Sequence, residues 1–220
     1  MQRVPAFAVT DPGVVERLVH DLAFAQVVTA DGAGGFLASS VPLLLDVPDD
    51  GPWRLRGHLA RGNPQTGLGT DPVPAMALFV GPHAYVSPSS YPSKAETGRV
   101  VPTWNYVEVH VHGTFRLTDD ADTTRAVVTD LTDAHESGRP VPWRVDDAPE
   151  AYVSGLVRAI VGFELVVERV EAKAKLSQNK SEADRRGALE DLAGRPDGAA
   201  AVADLMASGT FDRTPPDPVV

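Results

Sequence analysis

Residues 24–46 read FAQVVTADGAGGFLASSVPLLLD. The two apolar arms, FAQVVTA (24–30) and FLASSVPLLLD (36–46), carry β-branched residues, and the DGAGG between them is typical of a turn. The stretch therefore predicts a strand, a glycine turn and a second strand, which is the basic unit of an antiparallel sheet.

Further strands and a few helices are predicted on both sides of this hairpin. The additional strands are WRLRGHLA (53–60), MALFVG (76–81), AYVSP (84–88), TWNYVEVHVHGTFRLTDD (103–120, as two strands meeting at Gly113) and IVGFELVVERVEAKAKL (160–176). Helices are expected at about 12–21, 121–137, 149–158 and 181–194, the last starting at the capping sequence Ser181-Glu182-Ala183-Asp184, whereas 89–102 is predicted as a long ordered loop. Because most connections are short and no βαβ repeat occurs, we expect an antiparallel barrel with peripheral helices.

Composition narrows the function classes. The 220 residues include 43% hydrophobic residues, enough for a sizeable core, and no Cys, which excludes disulfides, thiolate metal sites and cysteine nucleophiles. The net charge of −10 disfavours DNA binding, which needs clustered cations. Between Arg54 and Arg116, however, six Lys or Arg and four His stand against three acidic residues. This locally cationic stretch is more typical of a site for a small anionic ligand.

Localisation and domain organisation follow from simple patterns. The N-terminal MQRVPAFAVTDPG has no apolar signal region, and no run approaches the roughly 18 apolar residues of a membrane span, so we expect a cytoplasmic protein without a membrane partner. The length suits one domain over 1–194. The alanine-rich and then proline-rich segment 195–220 is expected to be flexible.

The densest polar motif is GHLARGNPQ (57–65), which places His58, Arg61 and Asn63 at a strand end and the following turn. The planar donors of Arg61 suit a phosphate or carboxylate, and Asn63 precedes a proline that can open a helix, whose free N–H groups favour an anion. A capped turn with a solvated arginine fits the same spacing equally well.

A second motif combines aromatic and polar side chains. SSYPSK (89–94) and VPTWNY (101–106) interleave aromatic rings with hydroxyls, an amide and a lysine, which suits the edge of a planar ligand. Packing of Trp104 and Tyr106 against a core face is the alternative interpretation.

Three other polar features have ordinary explanations. The lysine-rich KAKLSQNKS (173–181) is typical of a solvated strand end. His110 and His112 share one strand face, where two surface histidines are commoner than a metal pair. The basic residues of the 181–193 helix are offset by acidic ones, so no DNA recognition helix is apparent.

Six of these segments together resemble the PaiB family, whose members are described as FMN-binding negative transcriptional regulators with a split β-barrel like that of pyridoxamine-phosphate oxidases. They are LRGHLARGNPQ (55–65), GPHAYVSPSSYPSK (81–94), GRVVPTWNY (98–106), PWRVDDAPEAYV (142–153), IVGFEL (160–165) and KLSQNKSEADR (175–185). The resemblance implies a mainly β protein with added helices, built on a split β-barrel.

The resemblance also implies a homodimer with FMN at the subunit interface. Cationic and hydroxyl side chains would hold the cofactor phosphate, and an aromatic loop would close the other side. The matching positions are Ser39, Ser40, His58, Arg61 and Asn63 for the phosphate, Tyr91, Lys94, Trp104 and Asn105 for the loop, and Lys175 and Gln178 to complete the site.

Two other functions fit the same resemblance. The family includes haem-dependent piperazate synthases, which form an N–N bond in an N-hydroxylated ornithine; a haem here would take His58, or as second choice His110, as axial ligand. The chain also departs from the family pattern at SSVP (39–42) and EAKAK (171–175). Small residues stand there at possible ligand-facing positions, which is compatible with either FMN or haem as the cofactor. A flavin-dependent oxidoreductase is the third possibility, whereas direct DNA binding is not expected.

Overall fold

A computed structural model gives the structure of the chain and describes Met1, residues 4–118 and residues 120–212. The described strands are β1 (Ala8–Val9), β2 (Phe24–Ala30), β3 (Phe36–Pro42), β4 (Leu44–Asp46), β5 (Arg54–Ala60), β6 (Val73–Val86), β7 (Thr103–Thr118) and β8 (Ile160–Lys175). The α-helices are α1 (Pro12–Leu22), α2 (Ser93–Thr97), α3 (Ala121–Glu136), α4 (Glu150–Val157), α5 (Glu182–Ala193) and α6 (Ala200–Ala207). Short 3₁₀ helices cover Pro5–Phe7, Pro64–Leu68, Pro88–Ser90 and Val145–Asp147.

The strands form a sheet in the order β3-β2-β6-β7-β8-β5-β4, and β1 pairs with β8. The ladders of β2 with β3 and β6, of β5 with β4 and β8, and of β1 with β8 are antiparallel. The predicted mainly β architecture with additional helices is therefore confirmed. None of the helices in the described part of the chain combines the length and apolar character needed to cross a bilayer.

The chain divides into two compact units, and β6, β7 and β8 contribute residues to both. Unit 1 comprises Met1–Val15, Val80–Val109 and Glu171–Val220, and unit 2 comprises Glu16–Phe79 and His110–Val170. Each unit is described separately below.

The hairpin predicted over 24–46 is present in unit 2. Phe24 pairs with Pro42 and Ala30 with Phe36, so the seven-residue strands are in full register. The Asp31 carboxylate accepts hydrogen bonds from the backbone N–H groups of Ala33 and Gly35, at 2.8 Å each, and so orders the glycine turn. The turn chemistry and the alternation of apolar residues thus specify the same register.

Two strand breaks predicted from glycine are wrong, because β6 and β7 are each continuous. At Gly113 of β7, a Cβ would lie 1.9 Å from the carbonyl oxygen of Val166, so the absent side chain permits a close backbone approach rather than a turn. In β6, the buried positions run 77, 79, 81 and then 84, 86, so the alternation shifts by one residue near Pro82. A proline lacks the N–H donor of a regular ladder, which explains a shift of phase there.

The segment 195–220 contains helix α6, whose Val202, Ala203 and Met206 are buried. Alanine favours helix, and three apolar residues on one side supply a packing face. The division at residue 194 stays a prediction, and the proline-rich end of the segment lies outside the described residues.

Candidate functional site

In unit 2, the structure brings together two of the predicted phosphate contacts. Asn63 caps the 3₁₀ helix that follows it, accepting a hydrogen bond from the backbone N–H of Gln65 at 2.9 Å. Its Nδ2 donates to the hydroxyl of Ser39 on β3 at 2.8 Å. The next residue, Ser40, is exposed and points to the opposite face of β3, because side chains alternate along a strand.

Arg61 has a structural contact of its own. Its guanidinium donates from Nε to the carbonyl oxygen of Arg158 at 2.9 Å and from Nη2 to that of Ile160 at 3.0 Å. Two of its donor groups therefore fasten the end of β5 to the start of β8. The motif GHLARGNPQ thus forms a capped turn with an exposed arginine, whose guanidinium bonds two backbone carbonyl oxygens.

Gln65 is a candidate that the sequence did not single out. It is 1% exposed, and its Nε2 donates to the carbonyl oxygen of Val27 at 3.2 Å and to the hydroxyl of Thr29 at 3.1 Å. Its Oε1 is buried without a hydrogen-bond partner among the described residues. Unpaired buried oxygens are uncommon, so this amide marks an unsatisfied acceptor beside the Asn63 turn.

The two candidate haem ligands both lie on strands of unit 2. His58 is half-buried on β5, and its Nδ1 is buried without a hydrogen-bond partner in the described structure. Burial lowers the pKa of His58, which favours a neutral imidazole that can bind a metal. His110 is half-buried on β7, and its ring centroid lies 6.4 Å from that of His112.

In unit 1, an exposed aromatic ring stands among polar side chains. Trp104 of β7 is 52% exposed. Its ring centroid lies 6.0 Å from that of His83 and 6.2 Å, edge-on, from that of Tyr85, both on β6. Large aromatic side chains are usually buried, so this arrangement offers a flat surface to a ligand.

Two lysines of β8 bond residues of the β7 segment that carries this ring. The Lys175 ammonium donates to the carbonyl oxygen of Trp104 at 2.9 Å and to the Thr103 hydroxyl. Lys173 is only 3% exposed, and its ammonium donates to the Tyr106 hydroxyl at 2.5 Å. We refer to His83, Tyr85, Trp104, Tyr106 and Lys175 as the Trp104 surface, below which Lys173 is buried.

Electrostatics distinguish these lysines from solvated ones. Burial lowers the pKa of Lys175, and repulsion from the charges of Lys173 and Lys180 lowers it further. Partly buried, mutually repelling cations favour the approach of an anion. The sequence interpretation of this segment as a solvated strand end is therefore wrong for Lys173, whose burial the lysine-rich motif did not signal.

Two further predicted contacts are held inside unit 1. Asn105 is fully buried, and its side chain exchanges hydrogen bonds with the Ser177 hydroxyl at 3.0 and 3.2 Å. Ser177 has a φ of +64°, an unusual backbone conformation for a residue other than glycine. Gln178 accepts from the backbone N–H of Leu176 and donates to the carbonyl oxygen of Ala174, each at 2.7 Å. Both amides thus shape the KLSQN turn.

The loop predicted over 89–102 contains short helices and is fastened to α5. Asp184 accepts from the backbone N–H of Ser93 at 3.1 Å and from its hydroxyl at 2.8 Å. Tyr91 is buried, which raises the pKa of its hydroxyl, and the Lys180 ammonium lies 5.0 Å from its ring centroid. Lys94 is exposed, and its ammonium donates to the Ser89 hydroxyl at 2.9 Å.

The predicted site residues therefore fall into two groups. Unit 2 holds Ser39, Ser40, His58, Arg61, Asn63 and His110, and unit 1 holds Tyr91, Lys94, Trp104, Asn105, Lys175 and Gln178. Within unit 2, Ser39 meets Asn63, and within unit 1, Trp104 meets Lys175. The sequence missed Gln65, His83, Tyr85, Tyr106 and Lys173 as members of these groups; the motifs GNPQ, GPHAY and TWNY contained four of them.

Comparison with known proteins identifies the family. Residues 1–169 match the family model described as "Putative FMN-binding domain". The Bacillus subtilis protein named Protease synthase and sporulation protein PAI 2 is 33% identical over 186 residues, covering 84% of this chain and 86% of the relative. An uncharacterised protein of Aspergillus fumigatus is 35% identical over 194 residues, covering 70% of this chain and 74% of the relative.

Solved structures with low sequence identity share the fold. The FAD and heme binding protein of Mycobacterium smegmatis superposes with a TM-score of 0.54 at 17% identity, covering 76% of this chain and 73% of that one. The flavocytochrome Anf3 of Azotobacter vinelandii gives a TM-score of 0.51 at 13% identity, covering 84% and 78%. With the antiparallel sheet and its helices, these matches confirm the split-barrel fold class. The chain therefore belongs to the PaiB family of FMN-binding-domain proteins.

Proposed function

We propose that this protein binds FMN and that the isoalloxazine ring lies on the Trp104 surface. The observation that carries the proposal is the exposed indole of Trp104, flanked by His83 and Tyr85 and accompanied by the Lys175 ammonium. Aromatic faces stack on planar rings, and a nearby cation suits the electronegative edge of a flavin. The residues present thus fit the cofactor that the family name implies.

FMN would supply one- and two-electron redox chemistry, and the protein's side chains would position it. Trp104 provides the stacking surface, and Lys175 is held beside it by Thr103. Tyr91, Lys94 and Gln178 of unit 1 are further proposed contacts or supports of the bound cofactor. Ser39, Ser40, His58, Arg61 and Asn63 of unit 2 stay predictions from the family resemblance. Asn105 supports the site indirectly, because its side chain is fully buried.

A homodimer is part of this proposal. One face of β2 and β3 exposes Phe36 (79%), Phe24 (59%) and Ala38, together with the polar pair Gln26 and Ser40. Exposed apolar patches mark interaction surfaces. Since the resemblance implies a cofactor at a subunit interface, we propose a second copy of the chain as the occupant of this face.

The first experiment is a visible absorbance spectrum of protein expressed with both iron and riboflavin supplied. A two-banded flavin spectrum that is lost or weakened in Trp104→Ala, and retained in Trp143→Ala, is the expected result. Trp143 is a matched control because it is also half-exposed but belongs to unit 2. Absence of flavin from the purified protein, and no binding on titration with FMN, would refute the proposal.

Haem is the second candidate cofactor, and one observation favours it. The buried, unpartnered Nδ1 of His58 and its lowered pKa fit a neutral imidazole ligand. In a piperazate-synthase-like enzyme, His58 would be the axial ligand. A Soret band that disappears in His58→Ala, with the fold retained, would establish this alternative. The protein would then be assayed on N-hydroxylated ornithine, with His110→Ala as the second variant.

A transcriptional role, if present, is proposed to act through a ligand or a protein partner rather than through a DNA-reading helix. The two arginines of α5 are engaged within the protein: Arg185 bonds Asp212 at 2.6 Å, and Arg186 bonds Glu182 at 2.6 Å. The chain is also acidic overall. A gel shift with DNA from its own locus, stable at physiological salt, would contradict this proposal.

A flavin-dependent oxidoreductase is tested on the same preparation. Loss of the flavin absorbance on anaerobic addition of NADPH or NADH, and its return with a small-molecule acceptor, would assign that activity. Persistent oxidised flavin with both reductants would favour a binding or regulatory protein.

A further inference from the structure

We infer that the α5–α6 hairpin (residues 182–207) positions the Trp104 surface, with Arg195 as a positioning residue, and thereby sets the affinity for the ligand bound there. Both helices follow residue 169, where the match to the family model ends. The identity of the ligand as FMN rests on the proposed function. The positioning of the aromatic rings rests on contacts within unit 1 and can be tested without a flavin.

The α5–α6 hairpin is a firm support, because its two helices pack against each other through a buried core. Ala188 and Leu192 of α5 and Val202 and Met206 of α6 are at most 2% exposed. Within each helix these residues are four positions apart and therefore lie on one face. A close-packed core of this kind resists rearrangement, so groups attached to the hairpin are held in place.

Arg195, in the connection between the two helices, reaches the end of β6. Its Nη1 donates to the carbonyl oxygen of Tyr85 at 2.7 Å, across 110 residues of sequence. Its Nη2 bonds the Asp197 carboxylate, which orients the guanidinium towards that carbonyl. The Tyr85 ring in turn lies edge-on to Trp104, with centroids 6.2 Å apart. Arg195 thus fixes the backbone of a residue whose ring flanks the indole.

The start of β7 is attached to the same hairpin. Asn105, the neighbour of Trp104, donates from Nδ2 to the Ser177 hydroxyl at 3.0 Å, and the same nitrogen lies 3.4 Å from the Sδ of Met206 on α6. Both strand segments that carry the aromatic rings are therefore tied to one support.

The loop that joins these two strands also contacts α5. A Cβ at Gly187 would lie 2.1 Å from the carbonyl oxygen of Ser90, so the helix backbone packs directly on the loop. One turn earlier in α5, the buried Asp184 accepts hydrogen bonds from the backbone N–H and the hydroxyl of Ser93. The hairpin thus holds the chain before, within and after this loop.

These attachments matter for binding because a flat ligand needs aromatic rings in fixed relative positions. Ordering loose side chains at the moment of binding costs free energy, whereas rings that are already in place avoid that cost. Loss of the Arg195 contact should therefore have two effects. The Trp104 ring becomes more accessible in the free protein, and ligand affinity falls.

The first test follows Trp104 in flavin-free protein. Trp53→Phe with Trp143→Phe leaves it as the one tryptophan of the three. In this background, Arg195→Met should raise the acrylamide quenching constant of Trp104. Arg195→Lys should restore the wild-type value, since an ammonium can donate to the same carbonyl oxygen. Arg186→Met is the matched control and should leave quenching unchanged, because this exposed arginine bonds only Glu182 of its own helix among the described residues.

The second test is a fluorescence titration with FMN. Arg195→Met and Gly187→Ala should each weaken FMN binding about fivefold to tenfold, whereas Arg186→Met should not change it. Thermal unfolding, followed by circular dichroism, verifies that each variant is folded. Ser93→Ala, which removes one hydrogen bond between the loop and α5, replaces a variant that does not fold and should weaken binding about threefold.

Wild-type quenching and wild-type FMN affinity in folded Arg195→Met would overturn the inference while leaving the proposed flavin binding intact. Equal changes in Arg186→Met would also overturn it, because the loss of a positive charge rather than of a contact would then be the cause. If the wild type does not bind FMN, the proposed function fails. The quenching of Trp104 in Arg195→Met and Arg195→Lys then decides whether the hairpin positions the ring.

Discussion

Asn105 illustrates, at the scale of a single residue, how a polar side chain in a ligand-like motif can serve the fold. Its amide is fully buried and exchanges two hydrogen bonds with Ser177, whose φ is +64°. Replacing it with an apolar side chain would leave the Ser177 hydroxyl buried without these bonds.

We therefore predict that Asn105→Leu lowers the free energy of unfolding by about 1–3 kcal/mol, measured by urea denaturation. The control is Asn179→Ala, because Asn179 is exposed in the same KLSQN segment, and it should change stability by less than about 0.5 kcal/mol. Unchanged stability of Asn105→Leu would show that these hydrogen bonds do not contribute to the fold.

At the scale of secondary-structure elements, Gly113 of β7 lets the backbone of β8 approach closely. A Cβ at this position would lie 1.9 Å from the carbonyl oxygen of Val166 on β8. We predict that Gly113→Ala destabilises the protein by at least about 2 kcal/mol, measured by chemical denaturation.

Gly138→Ala is the matched control for this prediction. Gly138 has open space around its Cα and no positive φ, so alanine there should change stability by no more than about 0.5 kcal/mol. Equal stability of the two variants would mean that β7 and β8 can separate without cost.

The attachment of the 89–97 loop to α5 depends on a carboxylate, which makes it sensitive to pH. Hydrogen bonds from Ser93 hold the pKa of Asp184 below its usual value of 3.8. Since the folded pKa is lower than the unfolded one, this group's contribution is fully present above pH 3.8 and is lost as the pH falls through the folded pKa.

We predict that Asp184→Asn loses less of its free energy of unfolding than the wild type does when the pH falls from about 6 to about 3. These two values lie on either side of the unfolded pKa of aspartate. The measurement is the free energy of unfolding from urea titrations at each pH. Asp191→Asn, at an exposed position of the same helix, should keep the wild-type pH dependence. Identical pH profiles for all three proteins would contradict the role assigned to Asp184.

At the scale of the whole molecule, the face of β2 and β3 that exposes Phe24 and Phe36 is the proposed dimer contact. Phe36 is 79% exposed on this face. We predict that the wild type elutes with twice the monomer mass of 23.4 kDa in light-scattering chromatography and that Phe36→Lys shifts it to the monomer.

Val141→Lys controls for the general effect of adding a charge at an exposed apolar position. Val141 is 86% exposed but lies in the loop after α3, away from β2 and β3 in sequence. It should leave the mass unchanged. A monomeric wild type at micromolar concentration would contradict the proposed dimer.

The sequence by itself determined much of the fold. The apolar alternation and the DGAGG turn specify the β2–β3 hairpin, and capping residues specify where α5 begins, because these are local effects of neighbouring residues. The family-specific motifs also led to the correct family, since GPHAYVSPSSYPSK and TWNY are long enough to be distinctive.

Only the tertiary structure decided what the glycines and polar residues do. Gly81 and Gly113 are residues typical of strand ends, yet β6 and β7 continue through them. Packing between strands depends on residues far apart in the chain, which a local sequence pattern does not contain. Likewise Arg61 and Asn105 bond distant backbone and side-chain atoms, whereas Lys173 is buried beside Tyr106. The partners that satisfy these three side chains lie 67 to 97 residues away in the chain. Tertiary contacts, rather than local propensity, therefore decide which polar side chains the protein satisfies and which are left for a ligand.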